Sequence, residues 1–350
     1  MNDTPLNDTR KAELLSTTVE HVDIRSFDAR PIIDSMGKMS FTSRDLARAT
    51  RIYNTMLEDK DCTIFLVIAG STSAGGCMDL YAELVRSNMV DGIVATGASI
   101  VDMDFFEGLG HKHYQALEIP DDNTLRSLYI DRIYDTYIDE EQLQDCDHTI
   151  GRIADSLPAG GISSRAFIRE MGRYLKEHGK KENSLVKLAY EHDVPIFCPA
   201  FVDSSAGFGL VKHQVERMKE GKPYLMIDAV ADFRELTDIK IKAGTTGLLM
   251  IGGGVPKNFI QDTVVCAEIL GHDDVEMHKY AVQITVADVR DGACSSSTLK
   301  EAASWGKVDT ALEQMVYAEA GSVMPLLASD AYHRGAWKTR PERRWAKLFA

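Results

Sequence analysis

Apolar residues follow two different rhythms along the chain. From about Ser43 to Glu58, Leu46, Ala47, Ile52 and Met56 recur on one helical face, and Thr42 stands in the position of a cap. The run CTIFLVIAG (62–70) predicts a buried strand, and it ends in a small-residue turn, Gly70–Gly76. Met78, Tyr81, Leu84 and Val85 return to helical spacing, and a short strand over 92–96 closes a β–turn–α–β unit. The middle third carries helical spacing near 124–138, 140–157 and 163–178, with Gly179 as a stop. Apolar strands then reappear at 195–198, 224–227, 247–251 and 280–285, separated by helical stretches that include 229–242 and 258–270. Short continuous apolar strands alternating with helices predict a parallel sheet covered on both faces. The expected architecture is one large, doubly wound α/β domain over 41–335. Residues 1–40 precede it as an N-terminal arm with a docking point near Ile32, and a basic tail, 336–350, follows.

Composition narrows the classes. At 44% hydrophobic and 26% charged over 350 residues, the chain has the balance of an ordinary globular protein. Its net charge of −14 repels phosphate backbones, so no nucleic-acid partner is expected. The basic stretch Lys338–Lys347 is accordingly read as an exposed extension or an oligomer contact. The longest apolar runs, 63–69 and 247–251, fall far below the roughly 20 residues of a membrane helix, so no membrane association is expected. The N-terminal residues are polar and carry no signal-like apolar stretch. Six scattered cysteines without a C-x-x-C pair argue against a zinc ribbon or a disulfide framework, which points to a cytoplasmic protein with reduced thiols. His111 and His113 lack the further ligands that a metal site needs, so no metal is expected.

Ligands of a doubly wound sheet bind beyond the carboxyl ends of its strands. Four small-residue turns follow strands here: 70–76, 96–99, 203–207 and 252–254. Glycines let backbone N–H groups approach a phosphate, although none of these turns is a G-x-G-x-x-G or Walker A motif. The segment with most chemistry runs from Asp291 to Lys307. A lysine two residues after Trp305 could be a desolvated amine suited to imine chemistry, with Glu301 and Asp291 available to cationic nitrogens and Trp305 to cation–π contact. On residue types alone, a surface lysine beside a structural tryptophan is the favoured reading.

The order of motifs adds to this. LVRSNMVDGIVATGAS (84–99), PIFCPAFVDSSAG (195–207), LMIDAVADFREL (225–236), GLLMIGGGVPKNFI (247–260), EAASWGKV (301–308) and VYAEAGSVMPLLAS (316–329) resemble, in sequence and in order, the deoxyhypusine synthase family. The resemblance implies a Rossmann-like, NAD-dependent transferase. Such an enzyme oxidises a polyamine, usually spermidine, carries a 4-aminobutyl group on a lysine as an imine, and passes it to an acceptor amine. In the synthases proper that amine is a lysine of the hypusine-carrying translation factor; in the related homospermidine synthases it is putrescine. The resemblance places Lys307 on the catalytic lysine, Glu301 and Trp305 on substrate-pocket positions, and Asp291 on an acidic position of the same loop. Gly70, Ser71, Thr96, Gly97, Asp203, Gly253, Ser295, Glu319 and Ala320 fall on NAD-contacting positions. It further implies a homotetramer, a dimer of tight dimers, with active sites at the dimer interface and an N-terminal helix capping each site.

The sequence departs from the family pattern where substrate is chosen. Phe208 and Cys294 stand where the synthases proper carry amine-binding aspartates, and Asn258 stands in place of a histidine. A buried carboxylate facing an ammonium is costly to lose, so the amine donor or its seating is expected to differ. The turn after Gly70 lacks the asparagine of the family's usual Ser-Asn pair, and either Asp102 or Asp104 takes the ribose or substrate role nearby. The leading expectation is an aminoalkyl transfer through Lys307 to a small amine. A true deoxyhypusine synthase and a catalytically silent, NAD-binding paralogue are the alternatives.

Overall fold

The structure, a computed structural model, describes residues 4–350. Its strands are β1 (Thr63–Ile68), β2 (Gly92–Ala95), β3 (His113–Gln115), β4 (Ile130–Ile133), β5 (Thr136–Asp139), β6 (Gly160–Ile162), β7 (Ile196–Phe197), β8 (Leu225–Ile227), β9 (Thr246–Ile251), β10 (His278–Thr285) and β11 (Val308–Tyr317). Six of them form a wholly parallel central sheet in the order β11-β10-β9-β1-β2-β7. β1 and β9 are buried at every position, as strands covered on both faces must be. Ile64, Leu66 and Ile68 pack into one apolar cluster, while Phe65 and Val67 pack into a second on the opposite face with Leu236, Ile239 and Leu299. The predicted doubly wound α/β architecture is therefore the one observed.

Strand order reverses between β1 and β9. From β1 the chain moves outward through β2, and from β9 it moves outward the other way through β10 and β11. Ile68 is in register with both Ala95 and Ile251, so the turns after β1, β2 and β9 lie side by side at the carboxyl edge. That is the topological switch point, where such sheets bind ligands.

Several sequence expectations change. The helix expected over 124–138 ends at Ser127, and β4 and β5 follow as an antiparallel hairpin paired to β3. Burial of Ile130, Tyr137 and Ile138 against the small sheet overrides the helical spacing. The first long helix begins at Phe41, with Ser40 rather than Thr42 at its N-cap position. The stretch 258–270 divides into two short helices, Gly254–Gln261 and Thr263–Ile269, which meet at Asp262. β11 carries polar residues at its sheet-edge positions and so has no continuous apolar run to announce it.

The terminal segments dock on the body. The Thr4–Leu14 helix lies against the three-stranded sheet, where Leu14 joins Leu125, Ile130 and Tyr137, and Lys11 pairs with Asp139 at 2.8 Å. The basic tail is not an exposed extension. Arg340 is buried and pairs with buried Asp91 at 2.6 Å, Trp345 donates to Thr63 Oγ1, and the Arg165 guanidinium stacks over Phe349. Its positive charge answers a carboxylate that would otherwise be stranded inside. Among the described residues, no helix is long and apolar enough to cross a membrane.

Candidate active site

Two neighbouring regions assemble from the strand ends. In the first, Gly70 follows β1 at φ +84°, where a Cβ would meet nothing within 4 Å, so the turn is open to a ligand. The Ser99 hydroxyl donates to Gly70 O at 3.0 Å and shares a hydrogen bond with Thr96 Oγ1 at 2.9 Å, which fastens the β1 and β2 turns together. Gly97 permits a closer junction: a Cβ there would lie 2.7 Å from Ser204 Oγ and 3.0 Å from the Phe201 carbonyl oxygen. Asp203 is exposed on the adjoining turn. Glu319 is the N-cap of the Ala320–Arg334 helix, and its carboxylate accepts from Gly321 and Ser322 N–H groups.

The two acidic alternatives separate. Asp104 is buried, and the Ser184 hydroxyl with the Leu185 and Val186 N–H groups takes up both of its oxygens, so it caps the following helix and offers nothing to a ligand. Asp102 accepts from Ser205 N–H at 2.7 Å at the start of the Ser205–Lys219 helix. Burial raises its pKa to about 6, with nearby Asp147 and Asp203 adding like-charge repulsion.

The second region is built around Lys307. Thr298 and Glu301 form a capping box at the Leu299–Ser304 helix, with Glu301 Oε2 accepting from Thr298 N–H at 2.5 Å. The helix ends at Trp305, which is 70% exposed, and Gly306 at φ +71° turns the chain into β11. His278 N–H holds the Lys307 carbonyl at 2.9 Å, so the lysine starts from a fixed backbone. Its Nζ lies 2.5 Å from Asp262 Oδ1, donates to Asn258 Oδ1 at 3.3 Å, and sits 5.3 Å from the Trp305 ring centroid. Asn258, Asp262, Cys294, Glu301, Trp305 and Lys307 line one cleft of about 650 Å³.

A contact joins the regions. Gly253 packs so closely on the 291–297 loop that a Cβ would stand 2.5 Å from Ser295 Cα, and Gln283 Nε2 donates to both Gly252 O and Ser295 O. Lys257 fixes the loop from beneath. Its buried ammonium donates to the carbonyls of Cys294 and Ser297 and to Ser297 Oγ, and burial lowers its pKa to about 8.

Of the residues singled out in the sequence, the structure therefore gathers Lys307, Trp305, Glu301, Cys294 and Asn258 in one cleft. Gly70, Ser71, Thr96, Gly97, Asp203, Gly253 and Ser295 lie on turns at or beside the switch point, and Glu319 and Ala320 open the helix that follows β11. Asp291 is exposed and outside the cleft wall. Phe208, also 70% exposed, lies in a separate groove with Asp122, Asp131, Glu140 and Asp147. Sequence reasoning missed Asp262 and Lys257. Lys257 lies inside the quoted GGGVPKN motif, and Asp262 stands one helical turn beyond Asn258, which was the available signal for both.

The lysine cleft suits nucleophilic chemistry, since an amine held against an aromatic wall and a carboxylate can form an imine once deprotonated. The glycine-lined turns, with open space over Gly70 and an exposed carboxylate at Asp203, fit a dinucleotide's pyrophosphate and ribose.

Comparison with known proteins follows the same line. The family profile for deoxyhypusine synthase matches residues 31–331. A deoxyhypusine synthase-like protein of Caulobacter vibrioides is 70% identical over 99% of this chain and 94% of its own length. One from Coxiella burnetii is 73% identical over 97% of this chain and 96% of its own. A crystal structure from Entamoeba histolytica, assigned to deoxyhypusine synthase, covers 90% of this chain and 97% of its own with a TM-score of 0.58 and 22% identity, which speaks to the fold.

Proposed function

The chain belongs to the deoxyhypusine synthase family, and we propose that it is an NAD-dependent transferase that carries an aminoalkyl group on Lys307 from a polyamine to a small amine, in the manner of homospermidine formation. Transfer chemistry of the deoxyhypusine synthase type comes with the family; the cofactor, carrier and acceptor are the proposal. The observation that carries it is the Gly253–Ser295 contact, which sets a glycine-lined switch point against a cleft built around one lysine.

Gly70, Ser71, Thr96, Gly97, Asp203, Gly253, Ser295, Glu319 and Ala320 would hold NAD. Bound there, NAD would supply a reversible hydride acceptor. The protein's own groups do the rest. Lys307 Nζ adds to the C=N carbon of the oxidised amine; the original nitrogen takes up protons and leaves as a free amine, and the aminoalkyl group stays on Lys307 as an imine. An incoming amine repeats the exchange and frees the lysine. The Trp305 ring, 5.3 Å from Lys307 Nζ, offers an apolar face against which the carbon chain of the imine can pack. Asn258 fixes the direction of the amine. Cys294 on the cleft wall, in place of a carboxylate, supports a donor or acceptor seated differently from that of the synthases proper.

The assembly proposed with this function is a homotetramer. Phe208, Val211, Val215 and Met218 form an exposed apolar stripe at helical spacing on the Ser205–Lys219 helix, and a second copy would cover it.

The test is a mass-spectrometric assay with NAD and spermidine, putrescine or agmatine, singly and in pairs, with Lys307→Ala as control. A new polyamine that needs both NAD and Lys307 is expected. No product from any pair, or a labelled translation factor instead, would overturn the small-amine reading.

A further inference from the structure

The geometry points to Asp262 as the group that receives a cationic nitrogen of the substrate and that, until then, holds Lys307 in reserve. This rests on the reading of Lys307 as carrier. Asp262 stands at the junction of two short helices, where the break in the α-helix aims its side chain into the cleft. Its Oδ1 meets Lys307 Nζ at 2.5 Å, its Oδ2 accepts from Asn258 Nδ2 at 2.8 Å, and Asn258 Oδ1 accepts from Lys307 Nζ at 3.3 Å. The three side chains form a closed ring. The lysine side chain is 12% exposed and the aspartate 33%, so the carboxylate is the partner that an incoming ligand reaches.

Asp262 is the cleft carboxylate paired with Lys307. Glu301 gives one oxygen to the Thr298 N–H as part of a helix cap and makes no contact with Lys307, and positions 208 and 294, where aspartates were expected, hold Phe208 and Cys294. Lys307 and the carboxylates Glu301 and Asp262 line the cleft, while Lys257 is held beneath it by the carbonyls of Cys294 and Ser297. When a substrate ammonium takes Asp262, Lys307 loses the carboxylate that its Nζ meets at 2.5 Å, and the ring that holds it opens. Binding of the cation and release of Lys307 from its ion pair are then one event. A neutral analogue leaves the ion pair closed and the lysine unreactive.

The test uses two aldehydes of matched shape, 4-(trimethylammonio)butanal and its uncharged isostere 5,5-dimethylhexanal, with sodium cyanoborohydride. Lys307 Nζ forms a C–N bond to the carbonyl carbon, the carbonyl oxygen leaves as water with the two amine hydrogens, and hydride from the reagent with a proton from solvent reduces the C=N bond. Peptide mass spectrometry reads the rate at Lys307 without any cofactor. The cationic aldehyde is expected to label wild type at least tenfold faster. Asp262→Asn is expected to lose that preference while labelling with the neutral aldehyde at least as fast as wild type. Asp262→Glu, which keeps the charge, is expected to restore the preference, and thermal unfolding of both variants checks that they are folded. A preference that survives in folded Asp262→Asn, or is absent in wild type, overturns the role of Asp262. Failure of both aldehydes to label Lys307 in wild type overturns the carrier reading itself, and the proposal with it.

Discussion

Gly253 shows how much rests on one missing methyl group. An alanine there would place its Cβ 2.5 Å from Ser295 Cα, a backbone atom that cannot rotate away, so the loop leading to Lys307 must move. Gly253→Ala is expected to weaken NADH binding and to lower transfer by tenfold or more, measured by fluorescence titration and product assay; unchanged binding and rate would contradict the proposed union of the two regions. The same scale shows what a sequence conveys. Lys307 was legible because it ends a distinctive run, SWGK, beside an aromatic residue. Asp262 carries no motif, and only the break between two helices turns it toward the lysine. Asp104 was offered as a ligand because its charge was visible and its burial was not.

Elements were read well where burial is complete. β1, β2 and β9 are buried throughout and alternate with helices, so their parallel pairing followed from the pattern. The β4–β5 hairpin was read as helix because Ile130, Ile133 and Tyr137 also satisfy helical spacing, and only pairing with β3 decides between the two. One helix also carries a measurable cost. Lys240, on the Ala229–Ala243 helix, is fully buried, donates to Gly244 O at 3.2 Å, and has its pKa lowered by burial to about 8 against a usual 10.5. Between about pH 8 and 10.5 the unfolded chain binds the extra proton, so stability rises with pH across that window. Lys240→Met is expected to be more stable than wild type at pH 7, by on the order of 2 kcal/mol, with the gain shrinking as pH rises toward 10. Denaturant titrations at the two pH values check it; a gain independent of pH would contradict the burial argument.

At the scale of the whole molecule, the chain closes on itself through its tail. Arg340 reaches Asp91, which also accepts from Ile64 N–H at the start of the central strand, so the C-terminal residues brace the sheet. Arg340→Met leaves a buried carboxylate unpaired and is expected to cost about 3–5 kcal/mol in equilibrium denaturation. A change within error would mean that the tail is a passive appendage. The basic composition of this segment was plain in the sequence, whereas its destination was not, because the answering charge lies some 250 residues earlier. The apolar stripe on the Ser205–Lys219 helix belongs to this scale as well. Val211→Asp is expected to reduce the assembly to smaller species in light scattering, and an unchanged mass would remove that face from the oligomer.

The most direct measurement concerns the carrier. Protein incubated with NAD and spermidine, reduced with borohydride and digested, is expected to yield the Lys307 peptide bearing an aminobutyl group. The adduct should vanish when NAD is omitted and in Lys307→Ala. An adduct on another lysine such as Lys257, or none under conditions in which product forms, would contradict the account.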